Sequence, residues 1–193
     1  MKDASKKKSS VKRGKQTVIL KWNPAFSSIS FSDFLFRIMW DEAKADWSIW
    51  DHGKVRKGDR FFMLKVGCGT CGIVEAGAII SNPVADKDWS GQGRKVFYCN
   101  YRSEIIINPE TLPIIGTEQL QSAIPDFDWT GGHSGIVLKE NQAKAMQKLY
   151  ITYLRENAPL FAECFKLIKE REDMLNDQLY LSRSLSRKLF ERS

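Results

Sequence analysis

Short apolar runs separated by turn signals open the chain. The run "TVILKW" (Thr17–Trp22) is rich in β-branched residues and predicts a first strand, and Asn23–Pro24 ends it because proline cannot donate to a strand ladder. Ser30, followed three residues later by Asp33, is typical of a capping box at the start of a helix. The apolar positions of one helical face follow at Phe31, Phe34, Leu35, Ile38 and Met39. The pattern therefore predicts strand, turn and helix in that order.

The middle of the chain predicts further strands joined by short turns. The turn "VRKGDR" leads into the apolar run "FFMLKVG", and "CGTC" (Cys68–Cys71) between two strand-like runs is interpreted as a hairpin turn. Strands are also predicted for "GIVEAGAIISNP" and "VFYCNYRSEIII", with the polar, glycine-rich loop "VADKDWSGQGRK" between them. A short helix is expected near Thr117–Ser122, and a last short strand at Gly135–Leu138.

From Lys139 the pattern becomes helical. "KENQAKAMQKLYITYLREN" predicts a helix that Asn157 and Pro159 interrupt, and the stretch after it is amphipathic. Two interpretations stay open for this second stretch: packing against its own chain, or a homodimer through the C-terminal helices.

The order of these elements predicts an α+β fold. About five strands with one early helix and late helices favour a small curved β-barrel flanked by helices, with extra C-terminal helices. The expected organisation is a disordered basic tail at 1–16, a domain at 17–157 and a helical extension at 158–193.

Charge separates a basic tail from a nearly neutral remainder. Residues 1–16 carry seven lysines and arginines and one acid, so +6 of the net charge of +7 lies there. Such a segment is expected to be disordered, either as a solvated terminus or as an arm that contacts nucleic-acid phosphates. The candidate phosphate contacts are Lys6, Lys7, Lys8, Lys12 and Arg13.

Membrane and secretion signals are missing from the pattern. No apolar run approaches the roughly 18–20 residues of a membrane span, and the first residues lack the apolar stretch of a secretory signal. A cytoplasmic protein without membrane contact is therefore expected.

Residues that usually carry catalysis are sparse. The sequence has no glycine-rich phosphate loop, no GxSxG elbow and no HExxH helix. Cys68 and Cys71 lack the further ligands that a zinc site needs, and His52 and His133 stand alone. No metal, cofactor or catalytic residue is therefore predicted.

Tryptophan is the unusual feature of this composition. The chain has six tryptophans. For any one of them a position in the core or at its rim is the ordinary interpretation. Several in the same context favour a pocket, because aromatic walls stack on flat ligands while nearby polar groups bind the ligand's edges. The four that stand beside small polar residues near the end of a predicted element are Trp22, Trp47, Trp50 and Trp129.

The motif order resembles a known family. "ILKWNP", then "WS…GKVRKGDRFFMLKVG…GIVEAGAIISNP", then "DWTGGHSGIVL" is similar to the EVE-like members of the PUA-like superfamily. Relatives of that family include YTH domains and the modified-base-reading modules of HNH-type restriction nucleases. The resemblance covers about Thr17–Leu138 and departs from the family where "CGTC" replaces a charged turn and where Trp50 and His52 replace smaller residues.

The resemblance implies a β-barrel with an aromatic cage for a flipped, modified base. It places Trp47 and Ser48 at the base and assigns Asp59 to the turn. Trp50 is then either a second wall or a plug. The full set of candidate ligand-binding residues is Trp22, Asn23, Trp47, Ser48, Trp50, Asp51, Trp129, Ser134 and Gly135.

The expected function is a non-catalytic module that binds DNA or RNA through a modified base. Two alternatives stay open. One is an enzyme acting on a nucleotide-like ligand through Asp51, His52 or Asp59, and the other is an oligomeric scaffold with a vestigial pocket.

Overall fold

Eight strands of the described residues form one mixed sheet. The structure, a computed structural model, describes residues 13–40, 43–88 and 90–161, and two compact units divide the chain at 1–148 and 149–193. The strands are β1 (Thr17–Trp22), β2 (Lys44–Ser48), β3 (Arg60–Lys65), β4 (Gly72–Ile79), β5 (Val84–Lys87), β6 (Lys95–Ile106), β7 (Ile115–Gly116) and β8 (Ile136–Val137). The helices are α1 (Phe31–Met39), α2 (Thr117–Ala123) and α3 (Glu140–Glu156).

The sheet is curved and mostly antiparallel. Its strand order is β2-β6-β4-β3-β1-β8, with β5 beside β6 and β7 beside β4, and β1 runs parallel to β3. The strand register shifts between Met63 and Leu64 and between Ala76 and Gly77. Such bulges bend a strand and increase its twist. The predicted α+β fold with a small curved sheet is confirmed.

Backbone hydrogen bonds join the two end strands of this order. The chain leaving β2 meets the chain entering β8, where Trp50 N–H donates to the Ser134 carbonyl and Asp51 N–H to the Gly135 carbonyl, both at 3.0 Å. We call residues 48–51 and 134–135 the closing seam. Because β2 and β8 are the first and last strands of the order, the seam links the two ends of the curled sheet at this corner.

Helix α1 begins as the sequence predicts. The Ser30 hydroxyl accepts from the Asp33 backbone N–H at 3.2 Å, and the Asp33 carboxylate accepts from the Ser30 N–H at 2.9 Å. The two bonds confirm the capping box. The predicted apolar face is wrong at its end, because Met39 is 66% exposed while Arg37 is buried.

The buried Arg37 side chain is paired with the buried carboxylate of Glu75. Its guanidinium Nη1 lies 2.7 Å from Glu75 Oε1 and 3.1 Å from the Tyr101 hydroxyl, and the Ser103 hydroxyl donates to Glu75 Oε2 at 3.1 Å. Burial raises the pKa of the Glu75 carboxyl, and the Arg37 guanidinium opposes that rise. Burial likewise raises the pKa of the Tyr101 hydroxyl. These four side chains tie α1 to β4 and β6.

Strands β2 and β5 lie where the sequence predicts none. Strand β5 lies within the predicted polar loop, and β2 lies within the stretch that follows α1. Both pair with the long strand β6, Trp47 opposite Cys99 and Val84 opposite Tyr98. Pairing with an existing strand overrides the weak local preference of these short polar segments.

Helix α3 ends at Glu156, next to the predicted interruption. The Asn157 side-chain amide donates to the Tyr153 carbonyl at 2.8 Å. No helix within the described residues is long and apolar enough to cross a membrane. The C-terminal extension predicted at 158–193 lies outside the described residues from 162 onward.

The Arg37–Glu75 pair is expected to show strong coupling. Replacing either residue by alanine leaves the other charge buried, so each single variant should lose about 3–5 kcal/mol of unfolding free energy. The Arg37→Ala/Glu75→Ala double variant should lose much less than the sum. Urea denaturation measures all three, and Lys144→Ala, from the exposed Lys144–Glu140 pair, is the control that should leave stability unchanged. Additive losses would contradict the coupling.

Candidate ligand pocket at the closing seam

A pocket of about 600 Å³ opens beside the closing seam. That volume lies within the range of small-molecule sites. The pocket is lined by residues in and next to the seam and by residues from the start of β6 and the loop before it. The lining residues are Ser48, Ile49, Trp50, His52, Asp88, Arg94, Lys95, Val96, Phe97, Tyr98, His133 and Ser134.

Two stacked aromatic pairs stand in this pocket. The rings of Trp50 and His133 have centroids 3.5 Å apart and planes within 1°, and those of His52 and Phe97 lie 3.6 Å apart and within 9°. These are the two histidines of the chain. Trp50 is 58% exposed, so much of its flat surface faces solvent. The pocket therefore offers aromatic faces to a planar ligand.

The seam fixes where Trp50 stands. Gly135 has a φ of 76°, and a Cβ there would lie 2.4 Å from the Ile49 Cα and 2.8 Å from the Trp50 nitrogen. No residue with a side chain fits at that distance, so glycine is what allows the two chain segments to approach. The Gly135 N–H also donates to the Ile19 carbonyl at 2.9 Å, which anchors the seam to β1.

Ser134 joins three segments through its hydroxyl. Its Oγ accepts from the Trp47 indole Nε1 at 2.7 Å and from the Lys21 backbone N–H at 2.8 Å. The Trp47 side chain is 9% exposed and belongs to the apolar core. Trp47 thus supports the pocket from behind through Ser134, while Ser48 and Trp50 line it.

Two cationic residues, Arg94 and Lys95, line the pocket together with Asp88. Asp88 is nearly buried and its carboxylate accepts from the Ser90 hydroxyl at 2.8 Å and from Arg94 Nη2 at 2.7 Å. The hydrogen bonds from Ser90 and from Arg94 hold the pKa of Asp88 below its usual value. Lys95 follows Arg94 in this lining. The Arg94 side chain remains 66% exposed, so it is accessible to an anion as well as to Asp88.

The loop before His133 is held by Lys21 and Asp128. The Lys21 ammonium donates to the Asp128 carbonyl at 2.6 Å and also to the Gly131 carbonyl. The Asp128 carboxylate accepts from the N–H groups of Gly131 and Thr130 at 2.8 and 3.0 Å, and these bonds lower its pKa. Burial lowers the pKa of Lys21. The loop that carries His133 is therefore fixed at its base.

Trp22 and Trp129 lie in the core rather than at the pocket. Each is 1% exposed, and each indole N–H donates to a backbone carbonyl: Trp22 to Ile29 at 2.8 Å and Trp129 to Ile124 at 3.0 Å. The structure thus separates the four tryptophans singled out in the sequence. Trp50 lines the pocket and Trp47 supports it. Trp22 and Trp129 form part of the interior.

Asn23 and Asp51 have structural partners away from the pocket. The Asn23 side chain accepts from the Ala25 N–H at 3.1 Å and borders a separate cavity of about 320 Å³. The Asp51 carboxylate accepts from the Val137 N–H at 2.9 Å and from the Lys54 ammonium at 3.0 Å. Asp51 thereby fastens the seam to β8.

Arg13 of the basic tail is bound to the turn before β3. Its guanidinium donates to Asp59 Oδ2 at 2.9 Å, and the other Asp59 oxygen accepts from the Gln16 N–H at 2.9 Å. The remaining candidate phosphate contacts, Lys6, Lys7, Lys8 and Lys12, lie outside the described residues.

The "CGTC" turn joins β3 to β4, as the hairpin interpretation predicts. Cys68 and Cys71 are free thiols there, and the Lys65 ammonium fastens the turn by donating to the Cys68 carbonyl at 2.6 Å and to the Thr70 carbonyl at 3.1 Å. Within the described ranges, no group of three or more His, Cys, Asp or Glu side chains could hold a metal ion.

Sequence reasoning missed His133, Phe97 and Arg94 as pocket residues. His133 sits in the motif "GGHSG" that supplied Ser134, so its position beside a candidate residue was the available signal. Phe97 and Arg94 gave none, because they come from the start of β6 and the loop before it, whose neighbours are set by sheet pairing.

The known proteins that are similar to this chain are solved structures with little sequence identity to it. No family model matches this chain, and no curated protein matches its sequence. Among solved structures, a Pseudomonas syringae protein is similar with a TM-score of 0.47 and 18% identity, over 69% of this chain and 98% of that one. The Mmi1 YTH domain in complex with RNA has a TM-score of 0.45 and 8% identity, over 75% and 82%.

Human THYN1, solved in complex with 5-methylcytosine-containing DNA, is also similar. Its TM-score is 0.39 at 11% identity, over 57% of this chain and 75% of that one. At TM-scores below 0.5 and identities of 18% or less, these three similarities assign no family, ligand or residue role to this chain.

Gly135→Ala is expected to disrupt the closing seam. Gly132 has nearly the same φ, 77°, but a Cβ there would meet its nearest atom, Asp128 Oδ2, at 3.4 Å. Gly132→Ala should therefore lower the free energy of unfolding by roughly 1–2 kcal/mol, because alanine disfavours the left-handed backbone conformation. Gly135→Ala should lower it by more than about 3 kcal/mol, because its Cβ also overlaps backbone atoms. Chemical denaturation compares the two, and equal losses would contradict the close approach at the seam.

Proposed function

We propose that this protein is a non-catalytic module that binds nucleic acid by taking one unstacked, modified base into the pocket at the closing seam. The observation that carries the proposal is the exposed Trp50 ring, stacked on His133 in a pocket of about 600 Å³ with Arg94 and Lys95 on its rim. Extruded bases are bound by stacking on aromatic side chains and by hydrogen bonds to their edges.

Trp50 is a wall in this proposal. One face of its ring is covered by His133, and the side chain as a whole stays 58% exposed. A base can therefore stack on the outer face without displacing His133, and such stacking contributes about 1–3 kcal/mol per base.

The cationic rim supports binding of a polynucleotide rather than a free base. A base held at Trp50 carries its own phosphates, and Arg94 and Lys95 line the same pocket. Phosphate contacts of this kind raise affinity without regard to sequence and weaken as salt is added. The lysines of residues 1–12 are expected to add to the same attraction for phosphates.

The proposal assigns no chemical step to the pocket. Asp51 and Asp59 are two of the side chains considered for catalysis. Their carboxylate oxygens accept hydrogen bonds from backbone N–H groups and from cationic side chains outside the pocket. His52, the third, is stacked on Phe97 and serves here as part of an aromatic wall.

Trp50→Ala is expected to weaken binding about ten- to a hundredfold, because the stacking face is lost. Fluorescence anisotropy measures the affinity for short oligonucleotides, single-stranded or duplex, that carry methylated or unmodified cytosine or adenine. Trp40→Ala is the matched control, since Trp40 is 61% exposed but lies at the end of α1 and away from the pocket lining.

The comparison also tests selectivity. The Trp50→Ala loss should be larger for the preferred modified base than for its unmodified counterpart, and Trp40→Ala should leave both affinities unchanged. Equal effects of the two tryptophan variants, or no binding by the unsubstituted protein, would overturn the proposal.

A further inference from the structure

The Ser134 hydroxyl has a fixed orientation. Its two neighbours, the Trp47 indole Nε1 at 2.7 Å and the Lys21 backbone nitrogen at 2.8 Å, are both N–H groups that donate and cannot accept. Ser134 Oγ must therefore accept from both of them. A serine hydroxyl has two acceptor positions and one donor hydrogen, so both acceptor positions are in use.

We propose that Ser134 acts on the ligand as a hydrogen-bond donor and selects a base that presents an acceptor atom to it. This inference rests on the proposed function and names the edge chemistry of the base bound there. Ser134 lines the pocket, and the two N–H groups that fix its rotor come from β1 and from the core side of β2. The hydroxyl hydrogen is thereby left for the pocket side.

Two cationic side chains of the lining likewise favour a ligand that accepts hydrogen bonds. Asp88, the carboxylate among the described lining residues, already accepts from the Ser90 hydroxyl and from the Arg94 guanidinium, at 2.8 and 2.9 Å to the same oxygen. Arg94 and Lys95 add donors to the rim. A ring nitrogen or a carbonyl oxygen of the base meets these groups, whereas an exocyclic amino group placed at Ser134 would face another hydrogen.

Atomic edits of the base test the donor role. The probes are short oligonucleotides bearing the base that binds best in the Trp50 experiment. Each analogue lacks one acceptor, with a ring nitrogen replaced by C–H or a carbonyl oxygen by hydrogen. Isothermal titration should show one analogue that binds the unsubstituted protein about tenfold more weakly than its parent.

Variants then assign that tenfold ratio to Ser134. In Ser134→Ala the parent and the analogue should bind alike, because the donor is gone. Ser48→Ala removes another serine hydroxyl from the same pocket and should keep the ratio, whatever it does to absolute affinity. If Ser134→Ala fails to fold, Ser134→Cys keeps the shape of the side chain with a weak donor and should lower the ratio.

Failure of the inference is separate from failure of the proposed function. Binding that depends on Trp50 but is weakened by no single acceptor deletion overturns the role of Ser134 alone. A tenfold ratio that persists in Ser134→Ala does the same. No binding of any oligonucleotide overturns both.

Discussion

The closing seam is the constraint on which the pocket depends. Two backbone hydrogen bonds of 3.0 Å join the chain after β2 to the chain before β8, and Gly135 permits that approach because a Cβ would overlap the Ile49 backbone. Trp50 and Ser134 face the pocket from opposite sides of these bonds. The same contact that links the two ends of the curled sheet therefore also positions residues of the pocket.

The tryptophans show why a binding site is harder to predict than a fold. Trp22, Trp47, Trp50 and Trp129 stand in similar local sequence, beside small polar residues. Their environments differ because of partners far along the chain or in the backbone: Trp22 and Trp129 bond carbonyls in the core, and Trp50 stacks on His133. Local composition marks an element end but does not say which face of the tryptophan meets solvent.

Local sequence signals predicted several helices, strands and turns more accurately than they predicted the pocket. Strand β1, the Ser30 capping box, the "CGTC" turn, α2 near Thr117 and the end of α3 before Asn157 follow from short-range chemistry and stand where the sequence predicts them. Strands β2 and β5 could not be predicted because their pairing with β6 supplies their stability. The buried ion pair of Arg37 and Glu75 could not be predicted either. Its residues are 38 positions apart, and helical or strand periodicity indicates only neighbours within one element.

The sequence distances across the seam bear on the order of folding. The Trp47–Ser134 bond joins residues 87 positions apart, whereas β3 and β4 pair across a short turn. Contacts between distant residues carry a larger chain-closure cost and tend to form after local ones. We expect a nascent or partly unfolded chain to hold the β3–β4 hairpin while Trp50 and Ser134 are still apart. The pocket is then completed at the last stage of folding, and under the proposed function a bound ligand would stabilise the form with the closed seam over every form in which the seam is open.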